Sequence, residues 1–168
     1  MNGAESHREE WSLQSATAAD IEALMQWFPE QQDVVVWGGP MFRYPFTRET
    51  FFEDTRWESM ASFCLSSRGD VVGFGQLYER DGRIHLARIV VRPDMRGRGA
   101  GRRLIEMLMK AGKALFPGDE YSLFVLRDNV AAYECYKSLG FVVSDYPNDT
   151  PHADVCDYLI RPSQVEEN

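Results

Sequence analysis

The sequence predicts an α/β protein whose mixed sheet of six to seven strands is flanked by about four helices, in the order βααβββαβαββ. Two observations carry this. Between Ala61 and Val91, three strand-like runs are separated by the turn signals Gly69-Asp70 and Asp81-Gly82, the signature of an antiparallel meander. Beyond Val91, apolar runs give way twice to helical spacing, as strand–helix–strand units require. No repeat, low-complexity tract or linker interrupts the chain, so residues 1–168 read as one domain.

Each element has a local reason. Trp11 to Ala16 alternates and begins as a strand. Thr17 caps a helix from Ala18 to Phe28, with Ile21, Leu24 and Met25 on its apolar face and Pro29 as its stop. Glu30 to Phe46 is rich in aromatics and turn formers, and a second helix follows Thr47 through Phe51 to Trp57. The meander strands are Ala61 to Ser67, Val71 to Glu79 and Arg83 to Val91. A helix from Arg102 to Phe116 sets Leu104, Leu108, Ala111 and Leu115 on one stripe, with Glu106 and Lys110 spaced for an ion pair. Tyr121 to Leu126 is a strand, Asn129 caps a short helix to Leu139, and Gly140 stops it. Phe141 to Asp145 and Val155 to Ile160 are the last two strands.

Composition narrows the class. Apolar residues at 44% and charged residues at 26% suit an ordinary globular domain. The longest apolar run, Val34 to Phe42, is broken by Gly38, Gly39 and Pro40, and Met1 to Glu10 is polar, so neither a membrane span nor a signal peptide is expected. Cys64, Cys135 and Cys156 lack metal-ligand or redox spacing and read as core residues of a cytoplasmic protein; no metal site is expected. The net charge is −8, yet Arg92, Arg96, Arg98, Arg102 and Arg103 crowd one stretch against Asp94 alone. An acidic body with one compact basic patch suits a polyanionic cofactor at one spot and does not suggest an extended nucleic-acid surface.

That patch carries the chemistry. The run Ile89, Val90, Val91 leads through Pro93 into Arg96, Gly97, Arg98, Gly99, Ala100 and Gly101, and then into a helix. A glycine-rich turn opening a helix presents unpaired N–H groups and the positive end of the helix dipole to a phosphate. The spacing fits neither a Walker A loop nor a dinucleotide fingerprint; a flexible turn with solvated arginines is the bland alternative. A second segment runs from Asn129 through Ala132 and Tyr136 to Gly140-Phe141. Tyr136 shares an apolar face with Ala132 and Leu139, so it reads equally as a core aromatic.

Together, Arg96-x-x-Gly99-x-Gly101 and Asn129-x-x-Ala132-x-x-x-Tyr136 ending in Gly-Phe resemble the two cofactor segments of the GNAT superfamily of N-acetyltransferases. The resemblance covers residues 84–141 well and the N-terminal third loosely. It implies that acetyl-coenzyme A is the cosubstrate and an amine the acceptor, with neither nucleic acid nor membrane as partner. It also implies a pantetheine arm along Ile89–Val91, a pyrophosphate on the N–H groups from Arg96 to Gly101, a cofactor hydrogen bond from Asn129, and Tyr136 as the acid that protonates the departing thiolate. Relatives often dimerise, which places a homodimer among the expected partners. Where relatives acting on ribosomal proteins carry a Glu ahead of the Asn, this chain has Phe124. The general base is therefore unassigned, among His85, Glu79, His152 and Asp154. The acceptor cleft is expected between residues 27–57 and 146–154. There Trp37, Phe42, Tyr44 and Phe46 with Asp33, Glu49, Glu53 and Asp54 suit a cationic amine, or else form a lid over the core. A non-catalytic acetyl-coenzyme A sensor or scaffold is the rival function, and a phosphate-nucleotide binder a more distant one.

Overall fold

The computed structural model describes residues 10–163. Met1 to Glu9 therefore lies outside the described residues. Strand β1 (Trp11–Ser15) is followed by α1 (Ala18–Leu24), whose capping box joins Thr17 and Asp20. A 3₁₀ turn, Met25–Trp27, continues it towards Pro29. Then comes α2 (Gln31–Gly38), a helix inside the stretch expected to be irregular, and α3 (Arg48–Thr55). The order is thus βαααβββαβαββ, one helix more than expected. Val34 and Trp37, three residues apart, are the buried positions of α2, and tertiary packing selects them from a run without clear periodicity.

The meander forms as expected from β2 (Ala61–Ser67), β3 (Asp70–Arg80) and β4 (Arg83–Val91). Next, α4 (Ala100–Leu115) starts two residues earlier than the sequence suggested, so Gly101 lies in its first turn. Glu106 pairs with Arg102 at 3.3 Å and Arg103 at 3.8 Å, not with Lys110. Strand β5 (Tyr121–Leu126), helix α5 (Val130–Ser138), and strands β6 (Val142–Ser144) and β7 (Cys156–Arg161) complete the chain. Gly140, at φ 95°, makes the left-handed exit from α5 that only glycine adopts without strain.

The seven strands lie in the order β1-β2-β3-β4-β5-β7-β6, all neighbours antiparallel except β4 and β5. One core cluster lies between the sheet and α4 with α5; a second lies under α1–α3 on the opposite face. Glycines let α4 settle closely. A Cβ at Gly75 would come within 2.5 Å of Leu108, and one at Gly112 within 2.6 Å of Ile84.

Candidate active site

Strands β4 and β5 pair at only two positions, Ile84↔Tyr121 and His85↔Ser122. Beyond them β4 runs on to Val91 along β3, while β5 runs on to Leu126 along β7. The sheet opens into a wedge. The β4 edge facing that wedge, which includes Ile89, Val90 and Val91, is half-buried and has no partner strand there. Such an edge accepts an extended, amide-bearing chain as an added strand.

A bulge aims this edge. Between the pairs Gln76↔Ala87 and Phe74↔Val90, β4 holds one residue more than β3, and Arg88 takes a left-handed φ of 47°. The Trp37 indole N–H donates to the Arg88 carbonyl at 2.7 Å, so α2 pins the bulge. Neither contact is legible in the sequence, because they join positions far apart in the chain.

At the end of β4 the chain turns through Pro93–Met95, with Met95 buried as an anchor. Arg92 is engaged locally, at 2.6 Å from Asp94, and its guanidinium holds that carboxyl below the usual range. Arg96, Gly97, Arg98 and Gly99 are exposed, whereas Ala100 is buried. Gly97 and Gly99 have φ of 76° and 85°, with open space where a Cβ would stand. Their backbone demands glycine, and the vacant space lets a ligand approach the turn. Gly99 is the N-cap of α4 and no side chain caps that helix; its first turn holds no acid. The N–H groups and positive dipole end are therefore free for an anion, with Arg96 and Arg98 alongside. These features suit a diphosphate ester trailing an amide-bearing arm.

The second segment meets the first. Arg102 of α4 donates to Ser138 of α5 at 2.7 Å, and Met95, Ala100, Leu104, Tyr136 and Phe141 share one core cluster. Tyr136 is 9% exposed, packs edge-on against Phe141, and has its phenol pushed above the ordinary range by burial. It is thus held protonated. Asn129 caps α5 by accepting from the Ala132 N–H at 3.4 Å, and it stays exposed.

The four base candidates separate. His85 is 2% exposed, bonded through Nδ1 to the Ser122 hydroxyl at 2.8 Å, and pushed down to about 3 by burial. Tyr78 and Phe124 flank its ring. It is a neutral, feebly basic core residue. Glu79, His152 and Asp154 are exposed. A hub the sequence did not reveal holds the loop that carries His152 and Asp154. Arg127 binds the Asp157 carboxylate at 2.8 Å and the carbonyls of Ala153, Asp154 and Cys156, clamping the β6–β7 connection to the start of α5.

On the other face, Trp37, Phe28 and Phe51 stack, and Phe42 meets Phe51 edge-on. The aromatics of the α2–α3 region are core first. Their acids are largely engaged. Arg43 takes Glu53 at 2.7 Å and Asp54 at 2.9 Å, and Asp33 accepts the Glu30 N–H at 3.3 Å. Cys64 is buried, with its thiol raised to about 12; Cys135 and Cys156 are half-buried and free. Among the described residues no helix is long and apolar enough to cross a membrane.

An open strand pair beside an uncapped, glycine-turned helix defines the class of acyltransferases that take a coenzyme A thioester. Residues 21–141 match the model of the acetyltransferase (GNAT) family, and the chain belongs to that family. Solved structures share the fold. A ribosomal-protein alanine N-acetyltransferase from Escherichia coli is 24% identical, with a TM-score of 0.65 over 95% of this chain and 98% of that one. A spermidine N-acetyltransferase from Vibrio cholerae, in complex with coenzyme A and spermine, is 14% identical, with a TM-score of 0.69 over 89% of this chain and 94% of that one. An aminoglycoside acetyltransferase in complex with coenzyme A and kanamycin is 20% identical, with a TM-score of 0.70 over 90% and 94%. The protein is an acetyl-coenzyme A-dependent N-acetyltransferase with an amine acceptor.

Proposed function

We propose that Ile89, Val90 and Val91 receive the pantetheine arm of acetyl-coenzyme A and that the N–H groups from Arg96 to Gly101 bind its pyrophosphate. Arg96 and Arg98 add charge, Asn129 adds a cofactor hydrogen bond, and Tyr136 is the general acid. The observation that carries this reading is the parting of β4 and β5 after His85 and Ser122, next to the side-chain-free N-terminus of α4.

The chemistry follows from those groups. The neutral amine attacks the thioester carbon, and the negative charge growing on the carbonyl oxygen is met by a β4 N–H on the open edge. The C–S bond then breaks, the sulfur takes the Tyr136 proton, the proton shed by nitrogen passes to solvent, and the Tyr136 phenolate regains a proton from solvent. Burial raises the phenol pKa and so keeps the proton on Tyr136 until a thiolate asks for it. His85 is too weak a base to take a proton from an ammonium. Three free thiols agree with work in a reducing, cytoplasmic setting.

Calorimetric titration with coenzyme A, followed by thiol release over an amine panel, tests the proposal. Micromolar binding with amine-dependent release is expected. Binding without release from any amine would leave only a sensor or scaffold.

A further inference from the structure

We infer that Arg88 binds the acceptor and that the amine acetylated by this enzyme carries a carboxylate close to its nitrogen. The inference rests on the placement of the thioester along β4 proposed above, and it names the substrate class of that same site.

Arg88 stands at the bulge, on the stretch of β4 left open beyond His85 and immediately before Ile89. Its φ of 47° is strained for a residue with a Cβ, and the Trp37 bond to its carbonyl holds that conformation. The guanidinium turns onto the face covered by α1–α3. There its Nη1 donates to Gln76 Oε1 at 3.1 Å and to the Thr55 carbonyl at 3.3 Å. Gln76 is completely buried and held in turn by donating to Thr55 and Ser62, so this cradle is rigid. Both of these oxygen partners are neutral.

No carboxylate pairs with Arg88 among the described residues, and Asp54, the nearby acid, is taken by Arg43 at 2.9 and 3.1 Å. The Nε and Nη2 of Arg88 have no hydrogen-bond partner, yet they are not sealed in. The sealed, unpartnered side-chain atoms among the described residues are Arg80 Nε and Tyr158 Oη. A half-buried cation with two open donors is costly to keep without an anion, and a carboxylate fits the guanidinium fork in two parallel bonds. A polyamine or other polycation would meet repulsion at this spot instead. The acids expected to attract such a cation are largely occupied, Glu53 and Asp54 by Arg43.

During transfer the acceptor nitrogen forms the new C–N bond, the C–S bond breaks, Tyr136 protonates the sulfur, the nitrogen proton goes to solvent, and solvent returns a proton to Tyr136. The carboxylate and Arg88 stay paired throughout and orient the amine. An amino acid and an acidic peptide present the same chemistry, so the test carries an arm for each.

Thiol release is measured on the full-length protein with phenylalanine against phenylalaninamide and phenethylamine, and with Ala-Glu-amide against Ala-Gln-amide, with spermidine as the polycation. The carboxylate member of at least one arm is expected to lead in kcat/KM by about 10- to 100-fold, the range of a charge-assisted bond. Arg88→Gln should bring that ratio to near one, and Arg88→Lys should leave an intermediate ratio; circular dichroism melting checks that both variants fold. A wild-type ratio near one in both arms, a lead by spermidine, or a preference untouched by Arg88→Gln would overturn the inference. Those outcomes all include turnover, which separates them from the absence of coenzyme A binding or of release, the failure of the parent reading.

Discussion

On the α4–α5 side of the sheet the polar groups that matter are held open, whereas on the α1–α3 side most are already partnered. The turn from Arg96 to Gly99 is exposed and α4 lacks a side-chain cap. Opposite, Thr17, Thr47 and Glu30 close capping boxes on all three helices, and Arg43 ties down two acids. A site for a fixed cofactor needs donors that wait for it. A face that shapes an acceptor needs walls, with only a few groups left free. Arg88 is a cation on that second face with no carboxylate partner among the described residues, and Trp37 connects the wall to the strand edge.

Four measurements break or sharpen this contrast. The largest effect is expected from Tyr136→Phe, which should lower turnover by about 10²- to 10⁴-fold while coenzyme A affinity, read by calorimetry, stays nearly constant. Equal turnover would reduce the α4–α5 side to a binding surface. Gly112→Val should destabilise the fold by about 1–3 kcal/mol in urea unfolding, because a Cβ there meets Ile84 at 2.6 Å.

The third concerns pH and the opposite face. Burial holds His85 down to about 3, whereas an unfolded imidazole titrates near 6.5. The unfolded chain binds a proton that the folded chain refuses, so stability falls as pH drops from 6.5 towards 3. Urea unfolding at pH 7 and pH 5 should differ by about 2 kcal/mol from this group, and His85→Phe should remove that part of the slope. Asp54 and Asp157 have lowered pKa values and add their own losses further down, in the carboxylate range. The smallest effect is Gly99→Val. It forces a branched side chain to φ 85° and should weaken coenzyme A by about tenfold, seen by titration.

The contrast also explains what could be read in advance. On the cofactor side the signals are local. Glycines at Gly97 and Gly99 mark left-handed turns, Asn129 marks a cap, and Leu104, Ile105 and Leu108 mark the buried face of a long helix. Helix α2 is not legible in the sequence. Its eight residues show little segregation of apolar and polar positions, and burial of Val34 and Trp37 by the rest of the fold makes it a helix. The acids Glu53 and Asp54 looked available because their partner Arg43 lies about ten residues away on a loop.

By itself the sequence determined the strand and helix order of the C-terminal two-thirds, the phosphate-suited turn and the alignment of Asn129 with Tyr136. These depend on backbone preference and side-chain periodicity, which act over a few residues. Tertiary structure alone decided that β4 and β5 part after two pairs, that a bulge presents Arg88, and which charges remain unneutralised. Those outcomes depend on contacts between residues distant in the chain, where packing and charge pairing, not local preference, set the free energy.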